Sequence, residues 1–141
     1  MTEQNIRDIN WTAAFMGFGV DLFLSELLGW IVTAIMLALK GITVEVGDAW
    51  PPDVLLVRQI VGVVGAVVGG VVAGYVAGRR GSLHGVLGSV IGLAVFFCTF
   101  SVLDGLSLNV GDIGFIVLNL VGAGYGGGVG ERWRVRRDEE N

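Results

Sequence analysis

The sequence predicts an all-α integral membrane protein, a single bundle of four helices with glycine-rich interfaces. Three observations carry that reading. The first is composition: 53% of the 141 residues are hydrophobic and 16% charged, where a soluble domain carries about 25% charged residues. Mean hydropathy is +0.74. The second is distribution, since the charges sit at the ends of apolar blocks too long for ordinary core helices. The third is the run GVVGAVVGGVVAGYVAGRRGSLHGVLGSVIG at 62–92. In it Gly62, Ala66, Gly70, Gly74 and Gly78 recur every four residues, and Gly65, Gly69, Ala73 and Ala77 form a second row beside them. In water each helical glycine costs about 1 kcal/mol relative to alanine. In lipid an unmade backbone hydrogen bond is worse, so helix is enforced, and glycine then lets two backbones approach. An apolar soluble bundle would also be helical, but the block lengths disfavour it.

The first apolar block, about 9–39, would make about 46 Å of helix against a hydrocarbon core of about 30 Å. It must tilt, or bend near Gly17 or Gly19 with its first turns at the interface. The expected span is 14–37, with Trp11 at the headgroups. An outer loop, 40–53, follows, punctuated by Gly41, Gly47, Pro51 and Pro52, with Trp50 at the interface. Within it, ITVEV alternates as one short strand would. The second span covers 54–78, and Arg79, Arg80 and Gly81 turn the chain. The third covers 82–103 and the fourth 111–130, leaving a charged tail at 131–141. In the fourth span Gly122, Gly126 and Gly130 repeat the spacing of four. The expected packing residues are Gly62, Gly65, Gly69, Gly70, Gly74 and Gly78 in the second span. Gly85, Gly88 and Gly92 serve the third, and Gly122, Gly126 and Gly130 the fourth.

With four spans, Arg7, Arg79, Arg80, Arg132, Arg134, Arg136 and Arg137 share one side, against Lys40 and Arg58 on the other. Basic residues in short flanks stay cytoplasmic, so both termini are expected in the cytoplasm of a multi-pass protein of the cell membrane. The N-terminus has mixed charge and no small-residue cleavage site, which predicts a retained first helix rather than a signal peptide. Ala73-Gly74-Tyr75 returns as Ala123-Gly124-Tyr125, each soon followed by glycine and arginine. That echo suggests two duplicated hairpins related by a pseudo-twofold along the membrane normal, although glycine-rich helices also resemble one another by chance.

Polar groups inside a membrane are the first functional suspects. Ala13, Gly17, Asp21, Ser25, Gly29 and Thr33 form one small or polar stripe on the first helix, and residues four apart share a face. Glu26 lies about 140° from Asp21 around the axis, so the two carboxylates do not form a simple dyad. By depth, Asp21 could meet His84, and Glu26 could reach Arg58 or Asn119. These five residues either satisfy one another, snorkel, or line a proton or ion path. With one histidine in the chain, a multi-histidine metal site is impossible. His84 reads as an interfacial hydrogen-bonding residue, and Cys98 lies about 21 Å along the same helix, away from it. A lone cysteine excludes an intrachain disulfide. The match Gly122-x-Gly124-x-x-Gly127 to a dinucleotide pattern falls inside an apolar span and lacks its strand and helix context. Net charge is −4, which gives no attraction to nucleic acid. Asn10-Trp11-Thr12 matches a glycosylation sequon that has no meaning on a cytoplasmic side.

The segments INWTAAFMGFGV and GGVVAGYVAGRRGSLHGVLGSVIG carry a likeness that covers about a third of the chain. With Gly69-Gly70, Ala73-Gly74-Tyr75, Gly78, His84-Gly85 and Gly88, this sequence resembles a group of small glycine-rich archaeal membrane proteins, common in halophiles. That resemblance implies four spans and supplies no activity. Small multidrug transporters also have four spans and an acidic residue in the first, but the rest of their pattern is not found here. The expected role is a non-enzymatic scaffold or interaction protein without cofactor. Its partners are the bilayer and a second copy, because small residues cover more of the second span than one neighbour needs. The alternative is a small ion or proton-coupled transporter or channel using Asp21 and Glu26.

Overall fold

The computed structural model describes residues 9–43, 50–104 and 110–140, with 99–104 and 110 described by backbone alone. The described residues form four helices and no strand. They are α1 Trp11–Lys40, α2 Pro52–Ala77, α3 Gly81–Asp104 and α4 Val110–Glu139. All four are long and apolar enough to cross a membrane. The short strand expected in ITVEV lies largely outside the described residues, as does Arg7.

Each helix begins or ends where the chain supplies a reason. At the start of α1 the Asn10 side chain accepts a hydrogen bond from Ala13 N, satisfying one of the donors a helix N-terminus leaves orphaned. The sequon asparagine is thus an N-cap. Helix α1 runs unbroken through Gly17 and Gly19, then stops at Gly41, whose φ of 63° admits the left-handed cap. There the N–H groups of Gly41 and Ile42 return to the carbonyls of Ala38 and Leu37. Pro52 occupies the first turn of α2, where a missing N–H costs nothing.

Two boundaries differ from the sequence reading. Gly78, Arg79 and Arg80 make the turn and Gly81 already belongs to α3; both Gly78 and Arg80 carry positive φ, 71° and 51°. Helix α4 also continues nine residues past 130, so the charged tail is a helical extension. The arginines there satisfy the dipole at a helix C-terminus and leave the backbone no cause to unwind.

The helices pack as a rhombus. Among the described residues helix α2 touches all three others, α3 does likewise, and α1 and α4 share no contact. The second row of α2 faces α1: a methyl group on Gly69 would fall 2.5 Å from the Gly17 carbonyl oxygen. The first row faces α4, where methyl groups on Gly70 and Gly74 would stand 2.2 Å and 1.9 Å from the carbonyl oxygens of Ala123 and Gly127. The same two carbonyls meet α3, at 2.1 Å from a methyl group on Gly85 and on Gly81. Three backbones therefore converge in two layers, Gly70–Gly85–Ala123 and Gly74–Gly81–Gly127. Such approaches place Cα–H groups on carbonyl oxygens, worth about 0.5–1 kcal/mol each, and multiply dispersion contacts.

The expected packing residues divide accordingly. Gly65, Gly69, Gly70, Gly74 and Gly85 sit at interhelical contacts a side chain would close, as do Gly126 and Gly130 against Val67 and Val71. A methyl group on Gly88 would stand 2.9 Å from the Ala14 carbonyl oxygen of α1. Gly92 and Gly122 meet side chains first, the Phe18 ring and a Val67 methyl. Two need correction. Among the described residues Gly62 packs against no helix: a methyl group on it would have nothing within 4 Å, whereas Gly70 and Gly74 of the same row lie where α4 crosses. Gly78 is a cap, its Cα beside the Arg134 side chain. Apart from Gly62, the glycines within both small rows of α2 are thus occupied within one chain, so neither row calls for a second copy.

The echoed tripeptides occupy unlike places. Tyr75 accepts a hydrogen bond from Arg137, whereas Tyr125 is 69% exposed. Gly74 lies on the Gly127 backbone, but Gly124 lies on a Val86 methyl.

Candidate functional site: the polar groups of the bundle

The stripe on α1 faces the bundle as its spacing predicts, with Ala13, Gly17, Gly29 and Thr33 buried. Polar groups occupy the seam between α1 and α2 in three steps. The innermost is Asp21, whose Oδ1 accepts from Ser25 Oγ at 2.9 Å. This pair fits because α2 presents Gly65 there: a methyl group on it would sit 2.2 Å from Ser25 Oγ and 2.9 Å from Asp21 Oδ1. A glycine makes space for a carboxylate rather than for another backbone.

The middle step is an ion pair, Arg58 Nη2 to Glu26 Oε2 at 3.1 Å, as depth along the two helices suggests. Its guanidinium also lies 4.8 Å from the Trp30 ring centroid and 5.9 Å from that of Trp50, and the two rings meet edge to face at 6.0 Å. Gly29 admits the Arg58 stem, which passes 3.6 Å from its open face. Two aromatic faces and a carboxylate offset part of the cost of keeping a cation beside lipid. Outermost, Lys40 bridges to Asp53 and joins the ends of α1 and α2.

Asp21 and His84 are not hydrogen-bonded to each other. His84 is 1% exposed; its Nε2 accepts from the Asn10 N–H at 2.9 Å and its Nδ1 lies 3.0 Å from the Arg80 carbonyl oxygen. Since a carbonyl can only accept, Nδ1 carries the hydrogen. This side chain ties the start of α1 to the start of α3, and both its nitrogens are engaged. Asn119 does not reach Glu26 either. It donates to the Phe115 carbonyl one turn back on its own helix, at 2.9 Å, a bond a mid-helix amide can make without any partner helix.

Three residues of the α4 extension form a contact that sequence reasoning missed. Glu131 accepts from Arg80 N at 3.0 Å and Gly81 N at 2.7 Å, an anion on the open N–H groups of α3. Arg134 donates from Nη1 to the carbonyls of Tyr75 and Val76, at 3.2 Å and 3.0 Å, a cation on the open carbonyls of α2. Arg137 reaches the Tyr75 hydroxyl. A signal was available, because Glu131 continues the spacing-four row Ala123–Gly127 and so must share its face. At the other end, Gln59 Nε2 lies 3.4 Å from Asp112 Oδ1 and links α2 to α4.

Among the described residues no three His, Cys, Asp or Glu side chains converge on a metal-sized space, and Cys98 is free and exposed. The arrangement can neutralise charge, cap helix ends and hold backbones together. No family model matches this chain, and no curated protein or solved structure matches it.

Proposed function

We propose that this integral membrane protein acts by assembly, as a non-enzymatic scaffold in the cell membrane with both termini in the cytoplasm. The observation that supports this reading most is the state of the α1 carboxylates. Asp21 is bonded to Ser25 and Glu26 to Arg58, whereas a carrier must leave such a group free to exchange its cargo. The engaged ring of the buried His84 likewise favours a structural part over general acid–base work, which needs a nitrogen within reach of a substrate proton.

Transport through Asp21 and Glu26 is the competing reading, and it draws on one feature: the Glu26 side chain is 54% exposed. A liposome flux assay across protons and several monovalent ions decides between them. Wild type and the Asp21→Asn, Glu26→Gln double variant are expected to leak equally. Flux that only the wild type supports would transfer the assignment to a transporter.

A further inference from the structure

Glu26 lies near the middle of the 30-residue α1, yet more than half of its side chain is uncovered. Among the described residues its carboxylate accepts one hydrogen bond, at Oε2 from Arg58, and Oε1 has no donor. Hydrocarbon supplies none, and an ionised group left so in a membrane is costly. Seven residues earlier, and so two turns along the same face, Gly19 has nothing within 4 Å. Leu22 and Phe23 between them are 48% and 64% exposed. Helix α4 lies on the far side of the rhombus and does not touch α1, so among the described residues this face has no neighbour.

We propose that this face is a two-fold interface with a second copy of the chain, the α1 helices crossing at Gly19 and the free oxygen of each Glu26 accepting from Arg58 of the other copy. Charge complementarity selects that occupant. The acid on this face has a base beside it at the edge of the α1–α2 seam, Arg58 of α2, whose side chain is 28% exposed, and rotation about an axis along the membrane normal sets each such pair at the same depth as its copy, the condition for an isologous contact. An anionic headgroup would meet Glu26 with like charge, and its phosphate stands about 15 Å above the bilayer centre. A foreign helix would have to bring its own matched pair. At Gly19 the bare backbone permits the close crossing that membrane helices use.

The proposal rests on the assembly reading, but self-association is measured apart from flux. In full-length chain carrying Cys98→Ser, in bilayers, Gly19→Cys is expected to cross-link on oxidation, while Val121→Cys on the exposed face of α4 is not. Glu26→Gln and Gly19→Leu should each raise the dimer dissociation constant at least tenfold. A Cβ at Gly19 meets nothing within 4 Å among the described residues, so the thermal midpoint of Gly19→Leu as a monomer in detergent should match wild type, which separates lost assembly from lost folding. A wild-type monomer, equal cross-linking from Val121→Cys, or dimers indifferent to both substitutions would overturn the interface. A monomer without flux overturns the interface alone. Intact dimers whose flux requires Glu26 would overturn the scaffold role and leave the interface standing.

Discussion

At Gly74 a single methyl group would fall 1.9 Å from a carbonyl oxygen, so the residue is defined by what it omits. Backbone cannot rotate aside as a side chain can, and the helices must separate to admit any Cβ. Gly74→Leu and Gly70→Leu are expected to lower stability by about 1–3 kcal/mol each or more, read as thermal unfolding in detergent. Gly62→Leu meets open space and should stay within about 0.5 kcal/mol of wild type. Thr33 gives the opposite case. It is 3% exposed, and its Oγ1 is the buried side-chain polar atom without a partner among the described residues. Thr33→Val removes that unmatched group at nearly constant shape and is expected to stabilise by about 1 kcal/mol in the same measurement. The sequence distinguishes glycine rows but not their occupants. Gly62 and Gly70 obey one spacing, and only the crossing point of α4 tells them apart.

Helix α4 shows how far an element can be read in advance. Its apolar stretch and its row Gly122, Gly126 and Gly130 announce a membrane helix with a small face. Its continuation to Glu139 does not follow from hydropathy, because nothing apolar demands it. What stabilises the extension is mutual: Glu131 and Arg134 complete the open ends of α3 and α2, and those ends in turn fix the extension. Glu131→Ala strips two N–H groups of their acceptor and should cost about 1–2 kcal/mol. Faster amide exchange at Arg80 and Gly81, with protection elsewhere in α3 retained, is the expected signature. Arg134→Ala should loosen the last turn of α2 in the same way, while Arg132→Ala serves as the neutral comparison. Opposite charges three residues apart on one helix were visible as a motif, but their targets lie 50 to 59 positions away along the chain.

For the whole molecule, four spans and their order were legible because the bilayer restricts a spanning chain to helix or closed barrel. The arrangement was less so. A pseudo-twofold relating two hairpins would pair α1 with α4 as it pairs α2 with α3, and only the second contact exists. The ion pair of Glu26 and Arg58 was foreseeable from depth alone, since mid-span charges seek each other. For His84 the hydrogen-bonding role was readable but the partners were not, since they are backbone groups, and every residue offers those equally. The proposed orientation puts the end rich in basic side chains in the cytoplasm, and on it Arg136→Cys in a Cys98→Ser chain is expected to react with an impermeant maleimide only in inverted vesicles. Labelling in right-side-out vesicles would reverse the topology.

Because α4 follows the other three helices and its Glu131 and Arg134 hold the turn between α2 and α3, synthesis order matters to the outcome. A nascent chain released before those two side chains emerge leaves the central hairpin with bare ends and unfilled grooves. The bundle is therefore keyed from its C-terminal side, and a premature stop there should give an inserted but unlatched polypeptide, a ready substrate for membrane proteases.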